Sequence, residues 1–269
     1  MINKQLMRGA AVVVVVGLTA ACHRGPKGPD GVKPEEASTP AVKTVSGLVS
    51  AMRDKYAANW YKSLSFTQVN RYTIGGKEQT SQWIENLLVP ARLRIDFLPL
   101  SQKSGLIINN SRVSTFSAGK RIDSRRLYQA RPFLTSDIYA QSTAVSVRRL
   151  DSLGIDTTKI RTDRVDGKNV FIIGAPSGDL TSTQAWFDAE TLLLQRFIQS
   201  EVRAGKTITS DMRVTGYTEI AGFPIPDAFV TRRDGVTTLR EEYMKVKVNA
   251  PMPAALFDPA KWAAVKVSQ

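Results

Sequence analysis

The chain has 269 residues, of which 37 are Lys or Arg, 24 are Asp or Glu, one is His and one is Cys, so its formal net charge is +13. A chain of this length can bury one sizeable core, and a single cysteine forms no internal disulfide, so packing must provide the stability. Because the one histidine is His23, close to the amino terminus, Ser/His/Asp and Cys/His catalysis and His/Cys zinc sites are excluded from a folded core.

The amino-terminal segment has the pattern of a secretion signal. Lys4 and Arg8 precede an apolar run over residues 10–18, and small residues follow up to Cys22. The apolar run is too short to cross the roughly 30 Å of a bilayer's hydrocarbon as a helix. A short membrane anchor or a buried helix is the alternative. We predict that residues 1–21 are a signal peptide.

The sequence Leu18-Thr19-Ala20-Ala21-Cys22 resembles the bacterial lipobox. This resemblance implies that Cys22 becomes the new amino terminus and is acylated, and several acyl chains give durable anchoring where one chain gives only marginal binding. We therefore predict a lipid-anchored protein of the bacterial cell envelope. His23 stands where an aspartate would favour retention in the inner membrane, which indicates the outer membrane facing the periplasm. The inner membrane is the alternative.

Residues 22–43 are predicted to form a tether. Four prolines and three glycines lie between positions 23 and 43, and such a composition buries little surface. At about 3.1 Å per residue, an extended tether would hold the following domain on the order of 60 Å from the bilayer at most. A spacer with no role beyond distance is the alternative. The folded domain is predicted over residues 44–269.

The domain is predicted to begin with an amphipathic helix and to continue as strands. Apolar residues at three- and four-residue spacing run from Val45 to Trp60. Strand-like residues 64–74 and 80–88 flank Gly75-Gly76 and predict a hairpin. Further strands are predicted at residues 91–97, 105–110, 112–117 and 120–125. Their short connections favour antiparallel pairing.

A central helical segment is predicted between residues 131 and 153, where apolar residues have helical spacing. Strands are predicted again at residues 159–165, 168–174, 183–188, 192–201, 206–217, 229–233 and 236–248. Asp166-Gly167 and Asp234-Gly235 are typical two-residue hairpin turns. The tail from residue 249 carries three prolines and is predicted to be irregular, with one short helical turn.

About eleven strands, a leading helix and a central helical insertion predict a mainly β protein: a single antiparallel sheet with helices over its concave side. The number of strands does not separate a closed barrel from an open one. Residues 170–173 and 192–197 are apolar on both alternations, which indicates strands covered on both faces. A lipid-sized cavity between sheet and helices would follow. An ordinary filled core is the alternative.

Several short motifs then support a family resemblance. They are Trp60 to Gln68 after the amphipathic helix, Trp83-Ile84-Glu85, Pro90, Leu93-Arg94-Ile95-Asp96, Phe116 to Lys120 and Leu256-Phe257-Asp258-Pro259. In type and order they resemble the periplasmic outer-membrane lipoprotein carrier and acceptor superfamily, the LolA/LolB-like lipoprotein-sorting proteins, over roughly residues 44–262. The resemblance implies an unclosed β-barrel of about eleven strands, with helices as a lid over a hydrophobic cavity for acyl chains.

Two differences from the family's soluble carrier refine what the resemblance implies. The carrier has an arginine immediately before the proline that matches Pro90, whereas this chain has Val89, so a cycle that uses that arginine is not expected. The carrier is not lipidated, whereas the acceptor is a lipoprotein, as Cys22 predicts here. The resemblance thus implies binding of acyl chains in lipoprotein sorting or lipid transfer. An envelope signalling module of the same fold, similar to the sigma-factor regulator RseB, is the alternative.

Cavity candidates are the large apolar side chains that strand alternation places on one face. They are Phe66, Trp83, Leu93, Ile95, Phe97, Phe116, Phe187, Leu192, Leu194, Ile198, Met212 and Val214. Each acyl CH₂ moved from water to such a lining contributes about 0.8 kcal/mol. A packing role without ligand contact is the alternative for each residue.

Other functions have weaker support in the sequence. No phosphate-binding glycine motif is present, and the carboxylates Asp96, Asp123, Asp188 and Glu190 have no spacing that assigns an acid and a base, so neither an enzyme nor a cofactor is expected. Two explanations, anionic headgroups or solvent, stay open for Arg121, Arg125, Arg126, Arg131, Arg148 and Arg149. Because the signal exports the chain, nucleic acid is not an expected partner. The expected partners of a monomer are acylated lipoproteins or lipids, and the membrane through the acylated amino terminus.

Overall fold

The computed structural model of the chain describes residues 42–74, 76–265 and 267. The predicted signal peptide, the acylation site at Cys22 and the tether up to residue 41 lie outside the described residues. In the part of the chain that the structure describes, none of the helices has the length and apolar character of a membrane span.

Fifteen strands form within the described residues. They are β1 (Ser63–Ile74), β2 (Lys77–Leu88), β3 (Arg92–Phe97), β4 (Gly105–Asn109), β5 (Arg112–Ser117), β6 (Lys120–Arg126), β7 (Ile160–Val165), β8 (Lys168–Ile173), β9 (Gln184–Asp188), β10 (Leu194–Arg203), β11 (Lys206–Val214), β12 (Tyr217–Ile220), β13 (Phe223–Pro226), β14 (Ala228–Arg233) and β15 (Val236–Val248). Thirteen of them form one sheet, in the order β6-β5-β4-β3-β2-β1-β15-β14-β11-β10-β9-β8-β7, and β12 pairs with β13 alone.

The sheet consists of two meanders that meet at its centre, where β1 pairs with β15. Every pairing in it is antiparallel, and β6 and β7 are its two edges. The sheet is therefore not closed, and the prediction of a mainly β protein with an unclosed antiparallel sheet and helices is confirmed. Two predicted hairpin turns, Asp166-Gly167 and Asp234-Gly235, have positive φ at both residues, as a two-residue turn matched to the strand twist requires.

The first helix, α1 (Val45–Tyr56), begins as the sequence predicts. The Thr44 hydroxyl accepts a hydrogen bond from the Gly47 N–H at 3.0 Å and so caps the helix. Its apolar residues form one buried face. A single 3₁₀ turn follows at Ala57–Asn59, so Trp60 lies beyond the helix.

The central helical segment is broken into short pieces. They are α2 (Ala130–Pro132), a π-helical turn (Phe133–Asp137), α3 (Ile138–Ala140) and α4 (Thr143–Ser152). Gln141 and Ser142 have extended backbone between α3 and α4, and the Ser142 hydroxyl caps α4 by accepting from the Val145 N–H. The single segment that the helical spacing predicts is therefore interrupted where a serine cap starts a new helix.

The strand predicted over residues 206–217 is confirmed as far as residue 214 and is wrong beyond it. The strand β11 ends at Val214, and the chain leaves the sheet as the hairpin β12–β13 before it returns as β14. Gly216 lies at this departure point, where an added Cβ would come within 2.5 Å of an Asp227 carboxylate oxygen. Prolines at 224 and 226 obscure the β13 pattern in the sequence, since proline is rare inside strands.

Both faces of the sheet are buried at residues 170–173 of β8 and along β9, as the doubly apolar sequence at 170–173 predicts. The helices pack on one side, which we call the inner face; on β8 it carries Phe171 and Ile173. The opposite side, the outer face, carries Val170 and Ile172 on the same strand. Over β3 to β5, the carboxyl-terminal tail covers the outer face through Trp262.

Candidate functional site

The inner face carries the largest apolar cluster of the described residues. Leu48 and Met52 of α1 and Phe133 and Ile138 of the central segment pack against the strands, and all four side chains are buried. These helical elements, which we call the lid, form no strand pairs with the sheet. The lid is therefore held on the inner face by apolar packing and by a small number of polar contacts.

Ten of the twelve cavity candidates lie at this cluster. Phe66, Leu93, Ile95, Phe187, Leu192, Leu194, Met212 and Val214 are buried members of it, and Trp83 and Phe97 are partly buried against it. The other two lie on the outer face. Phe116 stacks on Trp262 with ring centroids 4.3 Å apart, and Ile198 is in register with Gln184 and Asp211, while its neighbour Phe197 joins the inner cluster.

Phe116 and Ile198 therefore do not belong to the inner face. On β5 the inner position is held by the smaller Val113, and Phe116 has Gly105 opposite it on β4. An added Cβ at Gly105 would come within 2.7 Å of the Trp262 ring, so the glycine provides the space in which the tail packs on the outer face. Phe116 was chosen as a cavity candidate because it is large and apolar, but its ring packs on the outer face.

The space between the lid and the inner face is nearly filled. The cavity there, between Phe66 and Leu93 of the sheet and Arg131 and Ser136 of the lid, has a volume of about 20 Å³. That is room for about one water molecule. In this closed state the predicted lining residues act as a packed core, and an acyl chain would need the lid to move.

A larger groove lies open beside α1. It has a volume of about 730 Å³ and runs between the helix, at Ala51 and Lys55, and the side chains of Phe171 and Leu192. This volume falls in the range of small-molecule pockets, roughly 300–1,000 Å³. Phe171 and Leu192 also belong to the inner cluster, so the groove reaches the edge of the lid-covered core.

A buried ionic cluster joins the lid to the centre of the sheet. Arg131 of the lid donates from Nη1 to Gln68 Oε1 at 2.6 Å and to Glu241 Oε1 at 3.2 Å, and from Nη2 to Glu85 Oε1 at 3.2 Å. Gln68 Nε2 in turn donates to Glu241 Oε1 at 2.8 Å, and the Tyr243 hydroxyl lies 3.4 Å from Arg131 Nη1. We call these five residues the Arg131 cluster. It joins one guanidinium to two carboxylates.

The electrostatics of the Arg131 cluster follow from this composition. Burial raises the pKa of Glu85; Arg131 opposes this shift, and the second carboxylate, Glu241, adds to it. Burial disfavours the charged form of Arg131, but Tyr243, Glu241 and Glu85 together raise its pKa above the usual range. Arg131 therefore keeps its positive charge, and burial favours the protonated form of Glu85.

A second polar contact holds the lid near the β2–β3 turn. The Asp137 carboxylate accepts from the backbone N–H of Ala91 and from Arg149 Nη1, both at 3.0 Å. Burial raises the pKa of Asp137, and its hydrogen bond from Ala91 and the charge of Arg149 oppose that shift. Tyr61 and Ser136 add a hydroxyl contact of 2.7 Å.

Sequence reasoning missed these contacts and placed two of the arginines wrongly. Arg131 and Arg149 do not face headgroups or solvent, because both form ion pairs beneath or within the lid. Arg121, Arg125, Arg126 and Arg148 are exposed. No local pattern marks Arg131 as buried, since its partners come from strands up to 112 residues away in the chain.

Three of the four carboxylates considered for catalysis have structural partners, and the fourth, Glu190, is exposed. Asp96 forms a bidentate pair with Arg94 on the outer face, at 2.8 and 2.9 Å. Asp188 accepts from the backbone N–H groups of Glu190 and Thr191 and so shapes the turn before β10. Asp123 pairs with Arg125. Within the described residues, no group of three His, Cys, Asp or Glu side chains is arranged to hold a metal ion.

Neither a family model nor a curated protein sequence matches this chain. Solved structures do. A DUF1329 family protein from Desulfovibrio piger superposes with a TM-score of 0.57 at 14% identity, covering 81% of this chain and 97% of that one. A LolA superfamily protein from Nitrosomonas europaea gives 0.54 at 11% identity, over 81% and 98%.

A domain assigned to outer membrane lipoprotein sorting in Vibrio parahaemolyticus superposes with a TM-score of 0.57 at 8% identity, covering 81% of this chain and 97% of that one. This chain has a LolA-like fold. The family resemblance that the short motifs carry is thereby confirmed at the level of the fold.

The raised pKa of Glu85 predicts a specific pH dependence. A group whose pKa is higher in the folded state than in the unfolded state binds more protons when folded. The contribution of Glu85 to stability therefore rises as the pH falls from neutral toward 4.5, the ordinary pKa of a glutamate carboxyl. We expect Glu85→Gln to lose this part of the rise, which is measured by urea unfolding at pH 7.5 and pH 5.5. Glu78→Gln, an exposed glutamate on the same strand, is the matched control. An unchanged pH dependence in Glu85→Gln would contradict the prediction.

Proposed function

We propose that this protein is a membrane-anchored lipoprotein that binds the acyl chains of lipoproteins or lipids beneath its lid, in outer-membrane lipoprotein sorting or lipid transfer. The observation that supports the proposal most directly is an apolar inner face covered by helices that form no strand pairs with it. The fold adds support, because a LolA superfamily protein and a domain assigned to lipoprotein sorting share it. The role is one of binding and transfer without catalysis.

Acyl binding would exchange the lid for the ligand on the inner face. About 15 methylene groups moved from water to an apolar lining contribute on the order of 12 kcal/mol. Against this stand the apolar contacts that Leu48, Phe133 and Ile138 lose when the lid moves. The charged groups of the Arg131 cluster regain water at the same time, which offsets part of that loss. The groove at Phe171 and Leu192 is a starting point for entry, since it reaches the lid's edge.

The test of this function begins with the protein as it is extracted from its membrane. Native mass spectrometry after gentle extraction is expected to show a non-covalently bound phospholipid or acylated peptide. The delipidated protein is expected to bind a fluorescent fatty-acyl probe, and an acylated peptide is expected to compete for the same site. A protein that carries no lipid and binds no probe would contradict the proposal and would favour a dry interaction module of the same fold.

The anchor has its own prediction. We expect cleavage after Ala21 and acylation of Cys22, because the preceding residues resemble a lipobox. Labelled palmitate should be incorporated into the wild-type chain and not into Cys22→Ser when both are expressed in a bacterial host. A wild-type chain without label would rule out the acyl anchor. The proposed location at the outer membrane, which depends on that anchor, would then be withdrawn.

A further inference from the structure

The edge strand β6 and the residues that follow it combine exposed positive charge with exposed apolar side chains. Between positions 112 and 128 the chain has five basic residues and one acidic residue, a net charge of 5 − 1 = +4. The basic residues are Arg112, Lys120, Arg121, Arg125 and Arg126, and all five are exposed. The one acidic residue, Asp123, is paired with Arg125.

The cross-strand register increases the positive charge density. Arg112 of β5 and Arg126 of β6 stand directly opposite each other, and like charges in that arrangement destabilise a strand pair. Arg121 stands opposite Phe116 and Lys120 opposite Ser117, so no acidic side chain balances them across the strands. An anionic surface would relieve this repulsion.

Three large apolar side chains are exposed in the same segment. Ile122 is 66% exposed, Leu127 38% and Tyr128 40%. The register shift at Thr115 and Phe116 leaves Ile122 as the extra residue of a bulge, directed away from the strand ladder. Protection of an edge strand from pairing explains the charged side chains, because charges alone are enough for it. It does not explain why three large apolar side chains are exposed beside them.

We propose that this segment, residues 112–128, docks the domain on an anionic phospholipid bilayer. The arginines and the lysine would lie at the phosphate level, and Ile122, Leu127 and Tyr128 would enter the interfacial region, where basic and aromatic side chains are both favoured. The segment leads directly into α2, so docking would bring the start of the lid to the membrane. This proposal stands apart from the proposed function, because surface docking does not require the inner face to bind acyl chains.

Vesicle co-sedimentation of the mature chain, residues 22–269, tests the proposal. Every sample carries Cys22→Ser, so that neither the signal peptide nor an acyl anchor contributes to binding, and vesicles of phosphatidylcholine with or without phosphatidylglycerol are compared. Each basic residue near an anionic surface contributes about a fivefold gain in partition. We expect Arg112→Gln, Lys120→Gln, Arg121→Gln and Arg126→Gln together to lower partition onto the anionic vesicles by about 600-fold.

The matched control removes the same four charges elsewhere. Arg203, Lys206, Arg232 and Arg233 are exposed at the β10–β11 and β14–β15 hairpin ends. Their replacement with glutamine is expected to leave most of the partition intact. In a second pair of variants, Ile122→Ser with Leu127→Ser is expected to weaken binding on the order of tenfold. Val202→Ser with Val236→Ser, at the same hairpin ends, is expected to have little effect.

Three outcomes would overturn the proposal. The first is equal partition of the Cys22→Ser chain without further substitutions onto anionic and neutral vesicles. The second is an equal loss in the two four-charge variants, which would show a general charge effect. The third is that the chain does not bind the vesicles but binds an extended glutamate-rich peptide through residues 112–128. In that case β6 would be an edge that pairs with an acidic strand of another protein. Thermal unfolding confirms that each variant is folded.

Discussion

Replacing Arg131 with methionine is expected to lower the free energy of unfolding by about 3–5 kcal/mol at neutral pH. The substitution removes the one guanidinium that faces Glu85 and Glu241, whose carboxylates are nearly inaccessible to solvent. Methionine keeps much of the length of the side chain and its packing near the Phe229 ring. The loss therefore reports the two unpaired charges, and urea unfolding measures it.

A rescue variant and a surface control make the result specific. Arg131→Met combined with Glu85→Gln and Glu241→Gln is expected to regain most of the lost stability, because a neutral, hydrogen-bonded cluster has no unpaired charge. Arg126→Met, at an exposed position on β6, is expected to change stability by less than about 0.5 kcal/mol. If Arg131→Met is as stable as the wild type at neutral pH, the cluster does not hold the lid.

Replacing Ile95 with glutamate is expected to reduce stability by about 3–5 kcal/mol, because the closed inner face is packed and has too little space to hydrate the new charge. Ile95 is buried in the inner cluster, and its partner across the β2–β3 pair is Glu85. The new carboxylate would thus join two others near Arg131. A variant this unstable does not report on ligand binding, so a milder pair of substitutions is needed.

Ile95→Thr and Ile107→Thr form that pair. The two isoleucines lie buried on neighbouring strands, Ile95 on the inner face and Ile107 on the outer face against Phe116 and Trp262. Each substitution is expected to cost about 1–3 kcal/mol of stability, because it buries a hydroxyl and leaves a small cavity. Only Ile95→Thr is expected to weaken binding of the fluorescent fatty-acyl probe. Equal effects of the two variants on the probe would place acyl binding somewhere other than the inner face.

The sheet was predictable because its determinants are local. Hairpin turns such as Asp166-Gly167 set the register of the strands beside them, and period-two alternation marks each strand wherever one face is buried. The first helix was predictable for the same reason, since its cap and apolar spacing lie within twelve residues. The β12–β13 hairpin was missed because its prolines break the alternation pattern.

The site was less predictable because it depends on contacts between distant segments. Val113 and Phe116 are both apolar, so apolar character alone does not decide which face each occupies. The carboxyl-terminal tail that packs on the outer face decides it, and the sequence of β5 does not predict that packing. The Arg131 cluster likewise combines residues from β1, β2, β15 and the lid. Whether the inner face is filled or hollow depends on the volume of all its side chains together, which no local pattern reports.

The pairing of β1 with β15 has a consequence for how the chain folds. These strands form the centre of the sheet, yet Leu64 and its partner Val248 lie at opposite ends of the domain's sequence. Each meander can form from neighbouring strands, but the seam between them closes only after nearly the whole domain has been synthesised. Loop closure over such a separation is slow compared with hairpin formation. Until then the hydrogen-bonding edge of β1 is open to other chains, so the nascent protein needs protection from aggregation during this interval.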